Sequence, residues 1–343
     1  MYYISRNYRS VFDAAGKAKT DFELVLDNLG YKNLGFKRSN IKSSWGTIIS
    51  FFSISFALIK LPFRSLLITQ YPNSKFRSYI ISIAKLKKCK IITIVHDVKT
   101  LKGQSAKNEL SKIETDVIIV HNEAMANWFS SQNISCKVIV LGIFDYLNNK
   151  TPTQNNQITE PAPYNIVYAG GLAHKKNSFL YKIDQENNNK KEFAIKLYGK
   201  GFDSDKVTVK NSILDYLGMF PSNEIAHKIE GHFGLVWDGE SIEECSGPLG
   251  NYLKFNNPHK TSLYLSAGLP VLIWKEAALS SFIEKNNLGI AISSVGELNS
   301  TLKRLSTKDY QRIKTSVLAH QEKISSGHYY KKAIEEAVKA IHS

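Results

Sequence analysis

Several features are scarce in this chain of 343 residues, and each scarcity narrows the class of protein. Cysteine occurs only at Cys89, Cys136 and Cys245, an odd number of residues in no metal-ligand spacing. We therefore expect reduced thiols, as in a cytosolic protein, rather than a disulfide framework. The opening MYYISRNYRS lacks the apolar core and the cleavage site of a secretory signal, which favours a cytoplasmic location.

Long hydrophobic runs are also missing. The longest, residues 48–63, contains three serines, Lys60 and Pro62. It is shorter than the roughly 20 apolar residues that a membrane span requires. We expect a buried helix here, with contact at a membrane surface as the alternative.

Acidic residues are outnumbered, at 30 against 45 lysines and arginines, which gives a formal net charge of +15. Residues 1–145 contain 21 basic and 10 acidic residues, an excess of +11, whereas the remainder contains 24 and 20, an excess of +4. This asymmetry suggests that the first half meets an anionic partner, such as nucleic acid, lipid phosphate or a phosphorylated acceptor. Lysines that only maintain solubility are the alternative.

The hydrophobic pattern predicts two α/β domains in tandem, each a doubly wound parallel sheet of the Rossmann-like type, because apolar strands alternate with amphipathic helices. The domains are residues 1–146 and 164–325. A polar linker rich in Asn, Gln and Pro, 147–163, joins them. A final helix, 326–343, is expected to pack back on the first domain. Strands are predicted at 2–5, 65–70, 90–96, 116–121, 137–142, 165–171, 193–199, 206–211, 233–239, 269–274 and 289–293, and helices near 17–29, 45–60, 75–87, 105–113, 122–131, 175–184, 222–230, 258–267, 279–286, 295–305, 307–324 and 328–341.

The first motif of interest is YAGGLAHKKN, 168–177. Gly170 and Gly171 end a predicted strand and permit close backbone approach by a ligand. Lys175 and Lys176 stand where the next helix is expected to begin, and free N–H groups and the helix dipole favour an anion there. An ordinary strand–turn–helix link is the alternative.

The second motif is LDYLGMFPSNEI, 214–225, read as a strand, a turn at Gly218 and a helix start near Pro221 and Ser222. The turn at 218–221 would offer backbone groups to the edge of a base. On its own, the motif predicts only a helix start.

The third motif is ECSGPLGNYLKFNNPHKTSLYLSAGLPVLIW, 244–274. Asn257 and Pro258 suit a helix entry with proline at the first helical position. Lys254, His259 and Lys260 are expected to cluster near the positive end of that helix, where a diphosphate would be held by N–H groups and ammonium charges. Solvated lysines at a helix start are the alternative.

Taken together, these motifs resemble those of GT-B glycosyltransferases. The segment NNPHKTSLYLSAGLPVLIW (256–274), preceded by the two glycine turns, is similar to the bacterial group labelled β-1,6-galactofuranosyltransferase-like, which includes glucosyltransferases that extend glycans on serine-rich adhesins. The stretch NYRSVFDAAGKAKTDFELVLDNLGY (7–31) is similar to the opening of that group. The resemblance implies two domains that face a cleft, with a UDP-sugar in the second and transfer of a hexose (galactofuranose, glucose or galactose) to a saccharide acceptor.

The resemblance also implies roles for individual residues. Lys176, Tyr216 and Lys260 would contact the nucleotide or its diphosphate, and Asn251 and Tyr252 would lie near the sugar. Ala15 and Gly16 would lie across the cleft, at the first strand-to-helix turn of the first domain. Leu172 stands where many GT-B enzymes carry an arginine, and no glutamate pair precedes the AGLP turn, which favours an inverting reaction.

A direct displacement at the anomeric carbon needs a base for the acceptor hydroxyl. His96 and Asp97 emerge at the end of the strand KIITIVHD, and His121 stands at the end of DVIIVH, so all three are candidates. Lysines and helix dipoles would stabilise the leaving diphosphate without a metal cofactor. The single D-x-D match, 203–205, is expected to be a turn.

Three other functions remain open at this point: a nucleotide-sugar 2-epimerase, a non-catalytic partner of an active transferase, and a nucleic-acid binder. The last is the weakest, because the aromatic residues are not interleaved with the lysines in any stacking pattern. A homo-oligomer is also left open.

The basic first half, with the apolar stretch 48–63, predicts docking at an anionic membrane face, where an acceptor linked to a lipid diphosphate would be found. The flanking basic residues are Lys37, Arg38, Lys42, Lys60 and Arg64.

Overall fold

The chain folds into two compact units. The N-terminal unit comprises residues 1–145 and 327–343, and the C-terminal unit residues 146–326. Most of the predicted linker, together with Arg38 and Lys42, lies outside the described residues. The computed structural model describes residues 1–5, 8, 12, 14–37, 39, 41, 43–72, 76–105, 109–148, 163–186 and 193–342.

The N-terminal unit is built on a parallel sheet of six strands in the order β2-β1-β3-β4-β5-β6. Helices connect these strands. The strands are β1 (Tyr2–Tyr3), β2 (Lys32–Asn33), β3 (Leu66–Tyr71), β4 (Lys90–Val95), β5 (Val117–Val120) and β6 (Lys137–Val140), and the helices are α1 (Ala14–Asn28), α2 (Trp45–Lys60), α3 (Arg77–Leu86) and α4 (Glu123–Ser130).

The C-terminal unit also contains a six-stranded parallel sheet, in the order β12-β11-β10-β7-β8-β9. Counted from its own first strand, this is the order 6-5-4-1-2-3 of the Rossmann fold read from the opposite edge. The strands are β7 (Tyr164–Gly171), β8 (Phe193–Lys200), β9 (Leu214–Tyr216), β10 (Phe233–Val236), β11 (Val271–Trp274) and β12 (Gly289–Ile292), and the helices are α5 (Phe179–Glu186), α6 (Gly247–Tyr252), α7 (His259–Ser266), α8 (Ser280–Lys285), α9 (Leu298–Arg304) and α10 (Thr307–Ser326).

Burial of the central strands explains why the sheets are parallel. All four residues of β5, β10 and β11 are buried, so helices must cover both faces. Runs of apolar residues without alternation satisfy that requirement. The predicted fold class, two doubly wound α/β domains, is confirmed.

Two predicted elements are wrong, and a third lies partly outside the described residues. Residues 206–211 form no strand, because Val207 and Val209 remain partly exposed instead of joining the sheet, and β9 takes the place beside β8. The predicted helix 222–230 is reduced to a single 3-10 turn, Ile225–His227. The predicted helix near 105–113 includes residues 106–108, which lie outside the described part of the chain, and its described end forms a 3-10 turn, Leu110–Ile113.

The last helix, α11 (His328–His342), belongs to the N-terminal unit, where it packs against α1, β4, β5 and β6. Its first turn is capped from outside the helix, because the buried Asp145 carboxylate accepts the backbone N–H groups of Tyr329 (3.2 Å) and Tyr330 (2.6 Å). Tyr330 is fully buried and donates its hydroxyl to the Ala18 carbonyl (3.1 Å). Burial raises the pKa of Asp145 well above its ordinary value, although the two hydrogen bonds from the backbone N–H groups lower it.

Candidate functional site

In the C-terminal sheet, the chain reverses its direction of winding between β7 and β10. Strands on either side of such a switch point leave a crevice at their carboxyl ends, where α/β proteins of this order bind ligands. The crevice is bounded by Gly171, the last residue of β7, and by Trp237 and Asp238, which follow β10.

Two glycines shape the end of β7. A Cβ on Gly199 of β8 would lie 1.8 Å from the Gly170 carbonyl oxygen, so only glycine lets these two strands approach so closely. A Cβ on Gly171 would lie 3.2 Å from the Lys176 ammonium, which shows that the Lys176 side chain lies over this glycine. Lys175 and Lys176 lie in a turn rather than at a helix start, because α5 begins only at Phe179.

Asn177 ties the two sides of the crevice together. Its side chain is fully buried, donates to the Gly171 carbonyl (2.6 Å) and accepts from the Gly239 N–H (3.1 Å). The turn that carries Lys176 is therefore fixed to the loop that follows β10.

Lys260, in the first turn of α7, reaches the same crevice. Its ammonium group donates to the Asp238 carboxylate (2.9 Å), the Trp237 carbonyl (3.0 Å) and the Tyr168 hydroxyl (3.2 Å), and it lies 4.5 Å from the centre of the Tyr168 ring. Burial lowers the pKa of Lys260, and the Asp238 carboxylate opposes that shift. The positive charge of Lys176 lowers this pKa further, so the two ammonium groups act on each other.

The position of α7 is set by Tyr264. A Cβ on Gly234 would lie 2.1 Å from the Tyr264 ring, so the glycine in β10 makes room for it. The Tyr264 hydroxyl accepts from the Ala169 N–H (2.8 Å) and donates to the Leu235 carbonyl (3.3 Å). Because this anchor lies one turn from Lys260, it holds the lysine against the switch point.

The other predicted residues of the third motif contact side chains other than those around Lys260. Lys254 pairs with Glu276 (2.8 Å) at the surface rather than with a residue of the crevice. His259 packs on Tyr146, with ring centres 5.0 Å apart. Helix α7 begins at His259, so Pro258 is its N-cap residue rather than its first helical residue. Within α6, Asn251 is exposed and Tyr252 is buried.

Tyr216 ends β9 and is 44% exposed. Its ring stacks on Phe202 at 5.0 Å, and its hydroxyl donates to the Gly199 carbonyl (3.1 Å). The turn at Gly218 is tied to β8, because the Gly218 carbonyl accepts from the Gly199 N–H (2.9 Å), while a Cβ on Gly218 would meet only open space. The motif thus presents an aromatic ring and a backbone turn next to the end of β8.

In the N-terminal unit, the three candidate bases lie at the carboxyl ends of neighbouring strands. His96 and Asp97 follow β4 and His121 follows β5, and both histidine rings contact Phe144, at 5.7 and 4.7 Å between centres. His121 is 1% exposed, and burial lowers its pKa to about 4. The Asp97 side chain is 29% exposed and pairs with Lys102 (2.6 Å).

Behind His96 lies a buried polar network that the sequence analysis missed. The Glu23 carboxylate, which is fully buried, accepts from the Ser5 hydroxyl (2.6 Å), the Tyr8 hydroxyl and the Gln70 amide NH₂ (3.1 Å). With its NH₂ group held by Glu23, Gln70 turns its carbonyl oxygen towards His96 Nε2 (2.7 Å). The imidazole nitrogen must donate to that oxygen, so the network selects the tautomer with the proton on Nε2.

Ala15 and Gly16 lie in the first turn of α1 rather than in the strand-to-helix turn, because the helix begins at Ala14. Gly16 is buried, and the side chain of Ala15 is outside the described part of the structure. The D-x-D segment contains a 3-10 turn, Ser204–Lys206. Among the residues that the structure describes, no group of three or more His, Cys, Asp or Glu side chains is placed to hold a metal ion.

The residues missed in the C-terminal unit are Tyr168, Asn177 and Asp238. One signal was available for Asp238, which follows the apolar strand FGLV as Asp97 follows KIITIV. Nothing in the sequence distinguishes Tyr168 from the other apolar residues of its strand.

Comparisons with known proteins place the chain among glycosyltransferases. Residues 1–143 match the model of the glucosyltransferase 3-like N-terminal domain, and residues 166–337 match that of the C-terminal domain. β-1,6-Galactofuranosyltransferase WbbI of Escherichia coli K12 is 33% identical, with 98% of each chain covered. Glucosyltransferase 3 of Streptococcus gordonii is 22% identical over 94% of each chain. The crystal structure of Anabaena HepE in complex with UDP and glucose has the same fold, with a TM-score of 0.61 at 12% identity over 100% of this chain and 99% of that one.

Proposed function

Because the chain belongs to the glucosyltransferase 3-like family of glycosyltransferases, we propose that it transfers a hexose from a UDP-sugar to a saccharide acceptor. The predicted resemblance to the galactofuranosyltransferase-like group is confirmed by the similarity to WbbI. We propose galactofuranose as the first donor sugar to test, since that is the sugar in the name of the 33% identical relative, with glucose and galactose next.

The observation that carries the proposal is the meeting of Lys176 and Lys260 at the switch point of the C-terminal sheet. Two ammonium groups and the Asp238 carboxylate leave one net positive charge at the carboxyl ends of β7 and β10. A diphosphate placed there would be attracted by this charge, and the charge would stabilise UDP as it leaves. Lys176 is exposed and can turn towards a ligand. Lys260, in contrast, would have to give up its ion pair with Asp238 to do so.

In the proposed reaction, the acceptor hydroxyl oxygen attacks the anomeric carbon, the bond from that carbon to the diphosphate breaks, and UDP leaves. The hydroxyl proton passes to a base. Of the three candidates, we propose Asp97, because its carboxylate is 29% exposed whereas His96 and His121 are 7% and 1% exposed. Inversion at the anomeric carbon and independence of metal are parts of the same proposal.

The nucleotide base is proposed to lie against Tyr216 and the turn at Gly218. This aromatic ring and open backbone turn lie beside the end of β8, at the same edge of the sheet as Lys176. Partners beyond the donor are proposals as well: a saccharide acceptor, which a lipid diphosphate would carry, and an anionic membrane surface.

The test is titration calorimetry with UDP, ADP and GDP on the wild-type protein and two variants that each remove one exposed lysine. Lys176→Ala should weaken UDP binding by about 1.5–3 kcal/mol, or roughly 10- to 150-fold, through loss of a charge-assisted contact. Lys303→Ala, which removes the same charge from the exposed surface of α9 in the same unit, should leave binding nearly unchanged. Equal losses in both variants would show that only overall charge matters, and equal affinity for the three nucleotides would contradict the choice of uridine.

A further inference from the structure

Helix α2 carries two opposite apolar stripes, of which the protein buries one. Ile54, Leu58 and Leu61 pack into the core of the N-terminal unit against Ile80 and other residues of α3. The second stripe recurs at intervals of three or four residues and points away from that core. It consists of Trp45, Ile48, Phe52, Phe56 and Ile59, together with Phe63 three residues beyond the helix end, and is named here the α2 aromatic face.

The exposure of this face is large. Trp45, Phe52, Ile59 and Phe63 are 68%, 59%, 77% and 70% exposed. A helix that is hydrophobic all round is normally buried, and a contiguous exposed apolar patch marks a site of interaction. The expectation of a buried helix is therefore half correct, since one side of α2 remains largely exposed even though Phe56 contacts Phe36, with 5.7 Å between ring centres.

The sequence segment that contains α2 is basic without exception. Between Asp27 and Asp97 the sequence has no acidic residue and twelve lysines and arginines. Lys60 lies on the face itself, with its ammonium 4.1 Å from the centre of the Phe56 ring, and Arg64 is exposed just beyond the helix. The remaining basic residues of the segment are Lys32, Lys37, Arg38, Lys42, Lys75, Arg77, Lys85, Lys87, Lys88 and Lys90.

The end of α2 is held in place by its own unit. Lys87 donates to the carbonyls of Leu58 (2.7 Å), Ile59 (3.0 Å) and Leu61 (2.7 Å), which caps the last turn. The aromatic face is thus presented on a fixed helix, which lowers the ordering cost of binding a surface.

We propose that the α2 aromatic face docks the protein on an anionic lipid surface, with α2 lying in the interface. Aromatic and aliphatic side chains would enter the boundary between headgroups and acyl chains, while the lysines and arginines face lipid phosphates. A spanning role is not part of the proposal: within the described ranges, no helix combines the length and apolarity needed to cross a membrane.

Charge complementarity favours lipid over a second copy of this chain. A copy docked face to face would bring a second basic segment, also without acidic residues, against the first, and like charges in close proximity oppose association. Anionic headgroups supply the opposite charge. This inference does not depend on the transfer reaction, so either can fail alone.

The experiment is co-sedimentation of the full chain with vesicles of phosphatidylcholine alone or with one-third phosphatidylglycerol, at low and high salt. Binding is expected on the anionic vesicles only, and it should fall as salt rises. The variant Phe52→Ser/Ile59→Ser should lose about tenfold or more in apparent affinity, as should the charge reversal Lys60→Glu/Arg64→Glu. Matched controls are Leu24→Ser/Leu249→Ser, with exposed leucines elsewhere, and Lys303→Glu/Lys308→Glu in the C-terminal unit. Both should bind like wild type.

Trp45 gives a second readout that folding defects do not imitate. Its indole is 68% exposed, whereas Trp128 is partly buried and Trp237 and Trp274 are buried, so anionic vesicles should shift tryptophan emission to the blue and protect it from acrylamide. The Trp45→Phe variant should bind without the shift. Absence of binding at low salt would overturn the proposal, as would equal binding to both vesicle types. A wild-type dimer that ignores vesicles and dissociates in Phe52→Ser/Ile59→Ser would assign the face to a second copy instead.

Discussion

Replacing Lys260 by methionine should destabilise the C-terminal unit, and not merely weaken nucleotide binding. The Lys260 and Asp238 side chains are 13% and 14% exposed and lie 2.9 Å apart, so the variant leaves a nearly buried carboxylate without its cation. Breaking a fully buried pair costs about 3–5 kcal/mol. Because some solvent reaches both groups here, we expect a loss of about 2–4 kcal/mol in the free energy of unfolding.

The assay is urea unfolding followed by tryptophan fluorescence, since Trp237 is buried beside Lys260 and accepts one of its hydrogen bonds. The double variant Lys260→Met/Asp238→Asn should recover most of the lost stability, because neither partner then carries an unpaired charge. Lys254→Met serves as the control. It breaks an ion pair with Glu276 in which the side chains are 43% and 62% exposed, and should cost less than about 1 kcal/mol.

Two results would refute the reasoning. A Lys260→Met protein as stable as wild type would show that the ion pair does not contribute to the folded state. A double variant that is no more stable than the single one would show that the loss comes from packing of the lysine stem rather than from the stranded carboxylate.

Three further predictions concern other parts of the chain. Burial lowers the pKa of His121 to about 4, below its unfolded value of about 6.5, so the unfolded chain binds an additional proton between these values. The free energy of unfolding should therefore fall by up to about 3 kcal/mol as pH drops from 7 to 4. The His121→Asn variant should lose this pH dependence, whereas His342→Asn, at an exposed position, should keep it. Parallel pH profiles for His121→Asn and wild type would contradict the assignment. Asp145→Ala should lower the free energy of unfolding by about 1–3 kcal/mol through loss of the α11 cap. Asp145→Asn, which keeps an acceptor oxygen, should lower it less. Urea unfolding curves of the two variants measure this difference, and equal losses would contradict the capping role. Turnover should survive EDTA, and activity that disappears in chelator and returns with manganese or magnesium would bring Asp203 and Asp205 back into consideration.

The architecture was predictable because burial on both faces of a parallel sheet leaves a plain mark in the sequence. Strands such as β5 and β11 contain only apolar residues, and the helices between them follow the helical period. Short elements at the margins were not predictable. The two-residue β2 has no pattern of its own, and 206–211 alternates like a strand yet remains at the surface.

The contacts between side chains were the part of the candidate site that could not be predicted from the sequence. The paired glycines and Lys260 could be found because each follows or begins a regular element. The carboxylate that binds Lys260 lies 22 residues earlier in the chain, and only the folded sheet brings the two together. Glu23 reads as one polar residue of an amphipathic helix, yet its partner Gln70 lies 47 residues away. Such long-range pairs depend on the order of strands, which residue spacing does not specify.

The exposed side of α2 also could not be predicted from the sequence. Its composition predicts burial, and one stripe is indeed buried. Which stripe meets the core depends on how α3 and the sheet are placed, so the exposed aromatic face became visible only in the structure.

The most direct test of the central claim is release of UDP from a UDP-sugar in the presence and absence of a saccharide acceptor. The purified protein is given UDP-galactofuranose, UDP-glucose or UDP-galactose, with a panel of free and lipid-diphosphate-linked saccharides, and both UDP and the elongated glycan are quantified. A glycosyltransferase should release one UDP for each sugar transferred, depend on the acceptor, and lose turnover in Lys176→Ala but not in Lys303→Ala. UDP release that is independent of every acceptor, epimerised donor without a glycan product, or no turnover with any of the three donors would contradict the account.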